Sequence, residues 1–267
     1  KPSMNIVEKH FVEMPDGVRL FTLVQRPPVK GRVPVIFMRG PYEKKTLDEE
    51  ALRSADLKGY AIITQHCRGT ALSEGDFIPF KDERRDGLAT LEWVRRQPFY
   101  GGEIYLQGGS YCSAVHLAYL TARPADVRGG WLNVKDTECY DSIYRNGVLK
   151  CGLFGGWAVE VYKKNASLGR NFVPETFLTH PLVGITRHIF GEEAPYMEEM
   201  FLHESKDDPF WQTPSGGSEY RHAMHTATIP LLLTCAFYDI FIEGMFGMWA
   251  ALPDDIRRRS AFIVTPY

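Results

Sequence analysis

One serine stands at the point where a strand-like segment passes into a helix-like segment. The run IYLQ leads into Gly108-Gly109 and then Ser110, and a helical pattern follows from Ala114 to Ala122. A sharp strand-to-helix turn with small neighbours exposes a serine hydroxyl to a substrate and to a general base. The spacing therefore predicts a nucleophile elbow with Ser110 at its tip. A glycine-rich turn without chemistry stays open as an alternative, because Cys112 stands where the pattern GxSxG has its last glycine.

Two hydrogen-bond donors could stabilise an oxyanion beside this serine. The segment MRGPYEK directly follows the apolar run VPVIF, and its Tyr42 offers a phenolic O–H. The backbone N–H of Tyr111, the residue after the nucleophile, is the other expected donor. A loop tyrosine that only packs, with its hydroxyl in water, is the alternative for Tyr42.

A carboxylate at the end of another strand could orient a catalytic histidine. Asp239 lies in TCAFYDIFIEG, just beyond an apolar run. An acid in this place can hold and charge-stabilise an imidazole, although aspartate is also common in turns. Asp136, which follows GWLNV, competes for the role, but it precedes a long inserted segment.

The elements that would position these residues alternate between short apolar runs and helix-period segments. This rhythm predicts βα units on a mostly parallel sheet, an α/β fold. The predicted strands are Val33 to Arg39, Tyr60 to Cys67, Glu103 to Gln107, Gly130 to Val134, Pro230 to Ala236 and Ser260 to Thr265, and the predicted helices include Leu47 to Lys58 and Asp82 to Gln97.

The rhythm fails between about Cys139 and Thr228, where aromatic residues and prolines accumulate. We interpret this segment as a mainly helical cap inserted between two core strands, above the carboxyl ends where ligands bind in such sheets. The predicted division is residues 1–138 for the first part of the core, 139–228 for the cap and 229–267 for the second, incomplete part.

The composition excludes several classes of protein. Of the 267 residues 44% are hydrophobic, which is typical of a globular chain. A net charge of -2 gives no excess of lysine and arginine with which to bind nucleic acid or an anionic membrane. No run approaches the roughly 18 consecutive apolar residues of a membrane span. We expect no nucleic acid and no membrane as partner, and a cytoplasmic location.

Neither the cysteines nor the histidines indicate a metal site. The five cysteines have no close CxxC spacing. His222 and His225 are three residues apart, but two histidines without a third ligand make a weak site, and solvated surface histidines explain them as well. We expect no metal and no cofactor.

Taken together, the segments RGPYEK, CRGTALSEGDF, DGLATLEWVRRQPFYGGEIYLQGGSY, DDPFWQ and IPLLLTCAFYDIF resemble the cocaine esterase and X-prolyl dipeptidyl peptidase family of α/β-hydrolases, which includes the α-amino acid ester hydrolases. The resemblance covers most of the chain in the same order. It implies Ser110 as nucleophile, Tyr42 and the Tyr111 amide as oxyanion donors, and Asp239 as triad acid. It also implies Trp157 and Phe241 as aromatic residues of the acyl pocket.

The sequence departs from the family pattern in two places. Ser113 stands where the pattern has glycine, which puts the geometry of the elbow in question. In this fold the triad follows the chain order serine, acid, histidine, yet every histidine of the chain precedes Asp239; the histidines are His10, His66, His116, His180, His188, His203, His222 and His225. The resemblance places the histidine after a segment like AFIVTPY, so we expect it beyond Tyr267, together with a C-terminal jelly-roll-like β domain absent from this chain.

The sequence favours a serine hydrolase that cleaves a small-molecule ester or amide through an acyl-enzyme on Ser110. A non-catalytic binding protein that retains the α/β-hydrolase fold is the alternative, and self-association as a homo-oligomer is left open. The carboxylates of the insertion could hold a substrate ammonium or could simply be solvated; they are Glu138, Asp141, Glu160, Glu192, Glu193, Glu198, Glu199, Asp207 and Asp208. An ester with an uncharged acyl group is an equal alternative.

Overall fold

The protein is built on one eight-stranded sheet. The computed structural model describes residues 4–42, 48–161, 178 and 181–266. The strands of the sheet are β1 (Ile6–Glu13), β2 (Arg19–Arg26), β3 (Val33–Gly40), β4 (Ala61–His66), β5 (Tyr100–Gly109), β6 (Val127–Asn133), β9 (Leu231–Ala236) and β10 (Ala261–Thr265). Their order is β1-β2-β4-β3-β5-β6-β9-β10, and all neighbours from β4 to β10 are parallel. The sheet is that of an α/β-hydrolase, and the predicted fold class is confirmed.

The first two strands were absent from the prediction. β1 and β2 form an antiparallel hairpin in which Ile6 pairs with Arg26 and Glu13 pairs with Arg19, and β2 then runs antiparallel to β4. Charged residues interrupt β1, IVEKHFVE, whereas in β2, RLFTLVQR, they stand only at the two ends. The edge strand β1 tolerates such residues on its solvent side, so it lacks the continuous apolar run that marks a buried parallel strand.

Helices cover the sheet and include α1 (Glu49–Ser54), α2 (Glu83–Arg95), α3 (Tyr111–Leu120), α8 (Ile242–Ala251) and α9 (Asp254–Arg257). The helix α1 ends four residues before the predicted limit at Lys58, and α3 begins three residues before the predicted Ala114. The helices α2 and α3 approach each other closely at Gly87, where a Cβ atom would overlap the ring of Tyr119. Close packing here holds the helix that follows the serine against the core.

The segment between β6 and β9 is mainly helical with one short hairpin. Its elements are α4 (Cys139–Ile143), β7 (Tyr144–Arg145), β8 (Val148–Leu149), a π-helical turn (Cys151–Gly155), α5 (Gly156–Val161), α6 (Ile185–Phe190), α7 (Pro195–Phe201) and a 3-10 turn (Pro209–Gln212). Trp211 is fully buried and contacts the rings of Tyr140 and Tyr144 edge-on. The aromatic residues that set this segment apart in the sequence therefore give it an interior. The predicted domain bounds stay a prediction.

Some residues named in the sequence predictions lie outside the described residues. They are Glu43 and Lys44 of the loop motif, Leu47 at the predicted helix start, His180 and Tyr267. In the part of the chain that the structure describes, no helix combines the length and the apolar composition that crossing a bilayer requires.

Candidate active site

Ser110 lies on the sharp turn between β5 and α3, in a backbone conformation that few residues adopt. Its φ is 55° and its ψ is -129°. A positive φ in a residue with a side chain is strained, and such strain accumulates at functional sites. The backbone N–H of Ser110 donates to the carbonyl of Asn133 at 3.0 Å, which anchors the turn to the end of β6. The residue is half-buried, so its hydroxyl lies at the carboxyl edge of the sheet without being enclosed.

Two glycines make room for this turn. A Cβ atom at Gly108 would overlap the backbone carbonyl of Cys112, and one at Gly40 would overlap the Cys112 side chain. The start of α3 therefore presses directly against β5 and β3. Cys112 lies within the first turn of the helix, beside the strand ends, where the pattern GxSxG would have a smaller residue.

Ser113 supports the turn rather than disturbing it. The side chain is fully buried, and its hydroxyl lies 2.7 Å from the carbonyl of Gly108 and accepts a hydrogen bond from the Asn133 N–H at 3.1 Å. This hydroxyl joins the end of β5 to the end of β6. The turn therefore accommodates serine in place of glycine, and the serine hydroxyl adds hydrogen bonds that glycine, without a side chain, could not make.

Tyr42 reaches the serine from the loop after β3. Its hydroxyl donates to Ser110 Oγ at 3.3 Å, and it also hydrogen-bonds with the indole of Trp157 and with the backbone N–H of Tyr111. Burial raises the pKa of Tyr42, against the lowering effect of these hydrogen bonds. The side chain is therefore a protonated donor at neutral pH. Both predicted oxyanion donors, the Tyr42 hydroxyl and the Tyr111 amide, meet next to Ser110.

The side chain of Tyr111 fastens the elbow to the core. It is fully buried; its hydroxyl donates to Glu83 Oε1 at 2.7 Å and accepts from the backbone N–H of Phe80 at 2.7 Å. Glu83 is in turn paired with Arg39, which is 1% exposed. Burial disfavours the charge on Arg39, but the adjacent carboxylates outweigh it and raise the pKa of its guanidinium. The backbone amide of Tyr111 is thus positioned by a polar network beneath the sheet edge.

Asp239 lies in the loop after β9, three residues beyond the last strand residue. Its carboxylate accepts from the Phe241 N–H at 2.7 Å, and its backbone N–H donates to the Ala236 carbonyl at 3.1 Å. The backbone N–H of Phe237 donates to the carbonyl of Thr265 at 2.9 Å. The chain that leaves β10 therefore passes beside the loop that carries Asp239.

A cavity of about 150 Å³ opens beside Ser110. Its lining is mostly apolar and includes Phe80, Tyr111, Ile143, Leu153, Phe154, Trp157, Ile240 and Phe241. Trp157 stacks on the ring of Tyr111 with centroids 5.5 Å apart. The two aromatic residues that the resemblance implies for the acyl pocket, Trp157 and Phe241, both line this cavity. Among its described lining residues none carries a carboxylate.

Two polar residues of the cavity wall were absent from the sequence prediction. Lys135 and Ser142 both line it. Lys135 follows the end of β6, so its position at the carboxyl edge of a parallel sheet was a signal that could have identified it. Asp136, the competing triad acid, instead accepts a hydrogen bond from Lys135 Nζ at 2.9 Å and lies against Gly244.

Several of the described histidines make contacts away from the serine. His116 is fully buried on α3, between the Tyr119 hydroxyl and the Gln107 carbonyl, and burial lowers its pKa to about 3. His10 packs on Trp93, and His203 stacks on Phe210. The rings of His222 and His225 are 6.4 Å apart. Within the described residues no group of three His, Cys, Asp or Glu side chains is arranged to hold a metal ion.

Several carboxylates of the insertion are paired within it. Asp141 contacts Lys206 at 2.9 Å, and Glu193 contacts Arg187 at 2.5 Å. Glu138 pairs with Arg221 at 2.8 Å. These ion pairs explain acidic residues on the insertion without a substrate ammonium.

The sequence model of the X-Pro dipeptidyl-peptidase (S15) family matches residues 16–266 of this chain. The chain belongs to this family. Cocaine esterase from Rhodococcus sp. (strain MB1 Bresler) is 23% identical over 285 residues, which cover 98% of this chain and 49% of the relative. The chain thus spans about half the length of that curated relative.

Solved structures share the fold of this chain. An aminopeptidase from the marine sediment archaeon Thaumarchaeota archaeon has a TM-score of 0.78 at 18% identity, over 98% of this chain and 48% of its own. An alpha-amino acid ester hydrolase also has a TM-score of 0.78, at 17% identity and the same coverage. At these identities the two structures support the fold of the chain and leave its substrate to be proposed.

Proposed function

We propose that this protein is a serine hydrolase that cleaves an ester through an acyl-enzyme on Ser110. The observation that carries the proposal is the strained elbow with the Tyr42 hydroxyl 3.3 Å from Ser110 Oγ, at the mouth of an aromatic cavity. A serine needs a base to take its proton, donors for the oxyanion and a pocket for the acyl group. Membership of the S15 family and the likeness to an esterase support this class of reaction.

In the proposed reaction Ser110 Oγ attacks the substrate carbonyl, whose oxygen then accepts hydrogen bonds from Tyr42 and from the Tyr111 N–H. The alcohol leaves, the acyl group stays on Ser110 within the cavity, and water releases it. The base that takes the Ser110 proton is a histidine, as in the triads of this fold. The hydrogen bond between Phe237 and Thr265 brings the end of β10 beside the loop that carries the proposed acid, Asp239.

We propose an uncharged acyl group for the substrate. The cavity beside Ser110 is lined mainly by aromatic and aliphatic side chains, and its described lining has no carboxylate to pair with an ammonium. An X-Pro amide or an aminoacyl ester presents such an ammonium, so an ester without one fits this wall better.

Hydrolysis of p-nitrophenyl esters by the intact protein and by its Ser110→Ala variant tests the proposal. We expect turnover by the natural protein and a loss of at least 10³-fold in the variant, because the nucleophile is gone. Ser215→Ala, a change in a loop of the insertion, is the matched control and should leave the rate unchanged. Equal turnover by the Ser110 variant would reject Ser110 as the nucleophile, and no turnover by the natural protein would favour the non-catalytic binding protein.

A further inference from the structure

Lys135 is a buried cation in the wall of the cavity. The proposed mechanism gives this side chain no role. The residue is 3% exposed, and it lines the cavity together with Ser110. Lysine is almost never fully buried unless its charge is paired. The burial of this charge in the same cavity as Ser110 therefore needs an explanation, either by an ion pair, by ligand binding or by both.

The ammonium of Lys135 has a partner for its charge. Nζ donates to Asp136 Oδ1 at 2.9 Å and to Ser142 Oγ at 2.8 Å, and Ser142 itself donates to the same Asp136 oxygen at 2.7 Å. This triangle neutralises the lysine charge. It also fixes the end of the side chain, because two of its hydrogen bonds go to fixed acceptors.

The end of the lysine side chain lies between two aromatic rings. Nζ is 5.0 Å from the centre of the Phe241 ring and 5.4 Å from that of the Tyr220 ring, in cation–π arrangements. Of its contacts, Phe241 and Ser142 both line the cavity, as Lys135 itself does. An ammonium has three N–H donors. Among the described residues, Lys135 Nζ donates to Asp136 and to Ser142. A third N–H remains for an acceptor in the cavity.

We propose that Lys135 selects acyl groups that carry a neutral hydrogen-bond acceptor, such as a ketone, ether or amide oxygen, remote from the scissile carbonyl. The inference rests on the proposed function, because it assigns the cavity to the acyl group. A neutral acceptor suits the site better than a carboxylate, since Asp136 already balances the lysine charge and the other walls are apolar. An added anion would be left without a counter-charge among mostly apolar walls.

Equilibrium binding to the Ser110→Ala protein tests this inference without requiring turnover. The ligands are p-nitrophenyl esters matched in length: 4-oxopentanoate against pentanoate, 5-oxohexanoate against hexanoate, and the succinate monoester as the anionic arm. We expect one of the oxo esters to bind roughly tenfold more tightly than its plain partner, the size of one hydrogen bond to a charged donor. Calorimetry measures the affinities.

Equal affinity of both oxo esters and their plain partners would overturn the inference, and so would tighter binding of the succinate monoester. Absence of ester hydrolysis by the natural protein would instead reject the proposed function, which the binding measurement does not depend on. The two failures are therefore distinguishable.

A pair of variants in the Ser110→Ala background assigns the selectivity to Lys135. Lys135→Met with Asp136→Asn removes the donor without leaving a buried charge unpaired, and we expect the preference for the oxo ester to disappear. Lys150→Met is the matched control, because Lys150 lines the neighbouring cavity and donates to the Asp141 carbonyl there. A preference for the oxo ester that survives in the double variant would overturn the assignment to Lys135. If the double variant does not fold, the comparison of length-matched esters in the Ser110→Ala protein still tests the inference.

Discussion

At Ser110 the backbone holds a conformation that costs on the order of 1–3 kcal/mol in a residue with a side chain. The surrounding contacts keep it in place: the Ser110 amide binds Asn133, and Ser113 bridges Gly108 and Asn133. Glycines at Gly40 and Gly108 admit the close approach of Cys112. Strain that the surroundings maintain so specifically favours a catalytic serine over a turn without chemistry.

Tyr42 gives the prediction that belongs to the scale of a residue. In the variant Tyr42→Phe one oxyanion donor is lost, and we expect kcat for p-nitrophenyl esters to fall by about 10²-fold to 10³-fold with little change in KM. The effect falls on kcat because the hydrogen bond is stronger to the developing oxyanion than to the ester carbonyl. Steady-state kinetics with the intact protein measure both constants.

Tyr60→Phe is the control for this change. Tyr60 precedes β4, at the amino ends of the parallel strands and so opposite to Ser110, and it packs on Tyr105. Its kinetics should match those of the natural protein. A rise in KM with unchanged kcat in the Tyr42 variant would show that the hydroxyl serves ground-state binding instead.

At the scale of the element, α3 carries the elbow and is buried almost throughout. Its first residue, Tyr111, donates to Glu83 of α2, and Arg39 of β3 holds Glu83 from the other side. The helix further buries His116, which faces Phe37 of β3. These polar contacts fix the helix start relative to the strand that precedes the Tyr42 loop, and so they position both oxyanion donors.

His116 makes the stability of the protein depend on pH. Burial lowers its pKa from 6.5 to about 3, so between these values the unfolded chain binds a proton that the folded chain does not. Stability from this group is fully present above pH 6.5 and is lost as the pH falls toward 3. Between pH 6.5 and pH 4.5 we expect the free energy of unfolding to fall by roughly 2 to 3 kcal/mol less in His116→Gln than in the natural protein.

Denaturant unfolding of the natural protein and of the variant at the two pH values measures this difference. His225→Gln is the control, because His225 is exposed, and it should keep the natural pH dependence. Parallel loss of stability in the natural protein and the His116 variant would contradict the account.

At the scale of the whole molecule, the parallel sheet brings together residues that are far apart in the sequence. Ser110, Tyr42, Lys135 and Asp239 each follow a strand, and the carboxyl ends of parallel strands share one edge. This rule let the sequence predict the fold class and, with the exception of Lys135, these candidate residues at that edge. The S15 family match agrees with the predicted fold class.

Other features depend on packing that no local pattern records. The edge strand β1 escaped prediction because charged residues interrupt it. The role of Lys135 escaped it because its burial arises only when the insertion brings Ser142 and the loop after β9 brings Phe241 against it. Ser113 departs from the motif, and only the structure shows that its hydroxyl has hydrogen-bond partners at the ends of β5 and β6.

Covalent labelling tests the nucleophile most directly. The intact protein is treated with a fluorophosphonate, which reacts with an activated serine, and peptide mass spectrometry locates the adduct. Our account predicts one adduct, on Ser110, with loss of ester hydrolysis in proportion to labelling. An unmodified Ser110 in a fully inactivated protein, or an adduct on another residue, would contradict it.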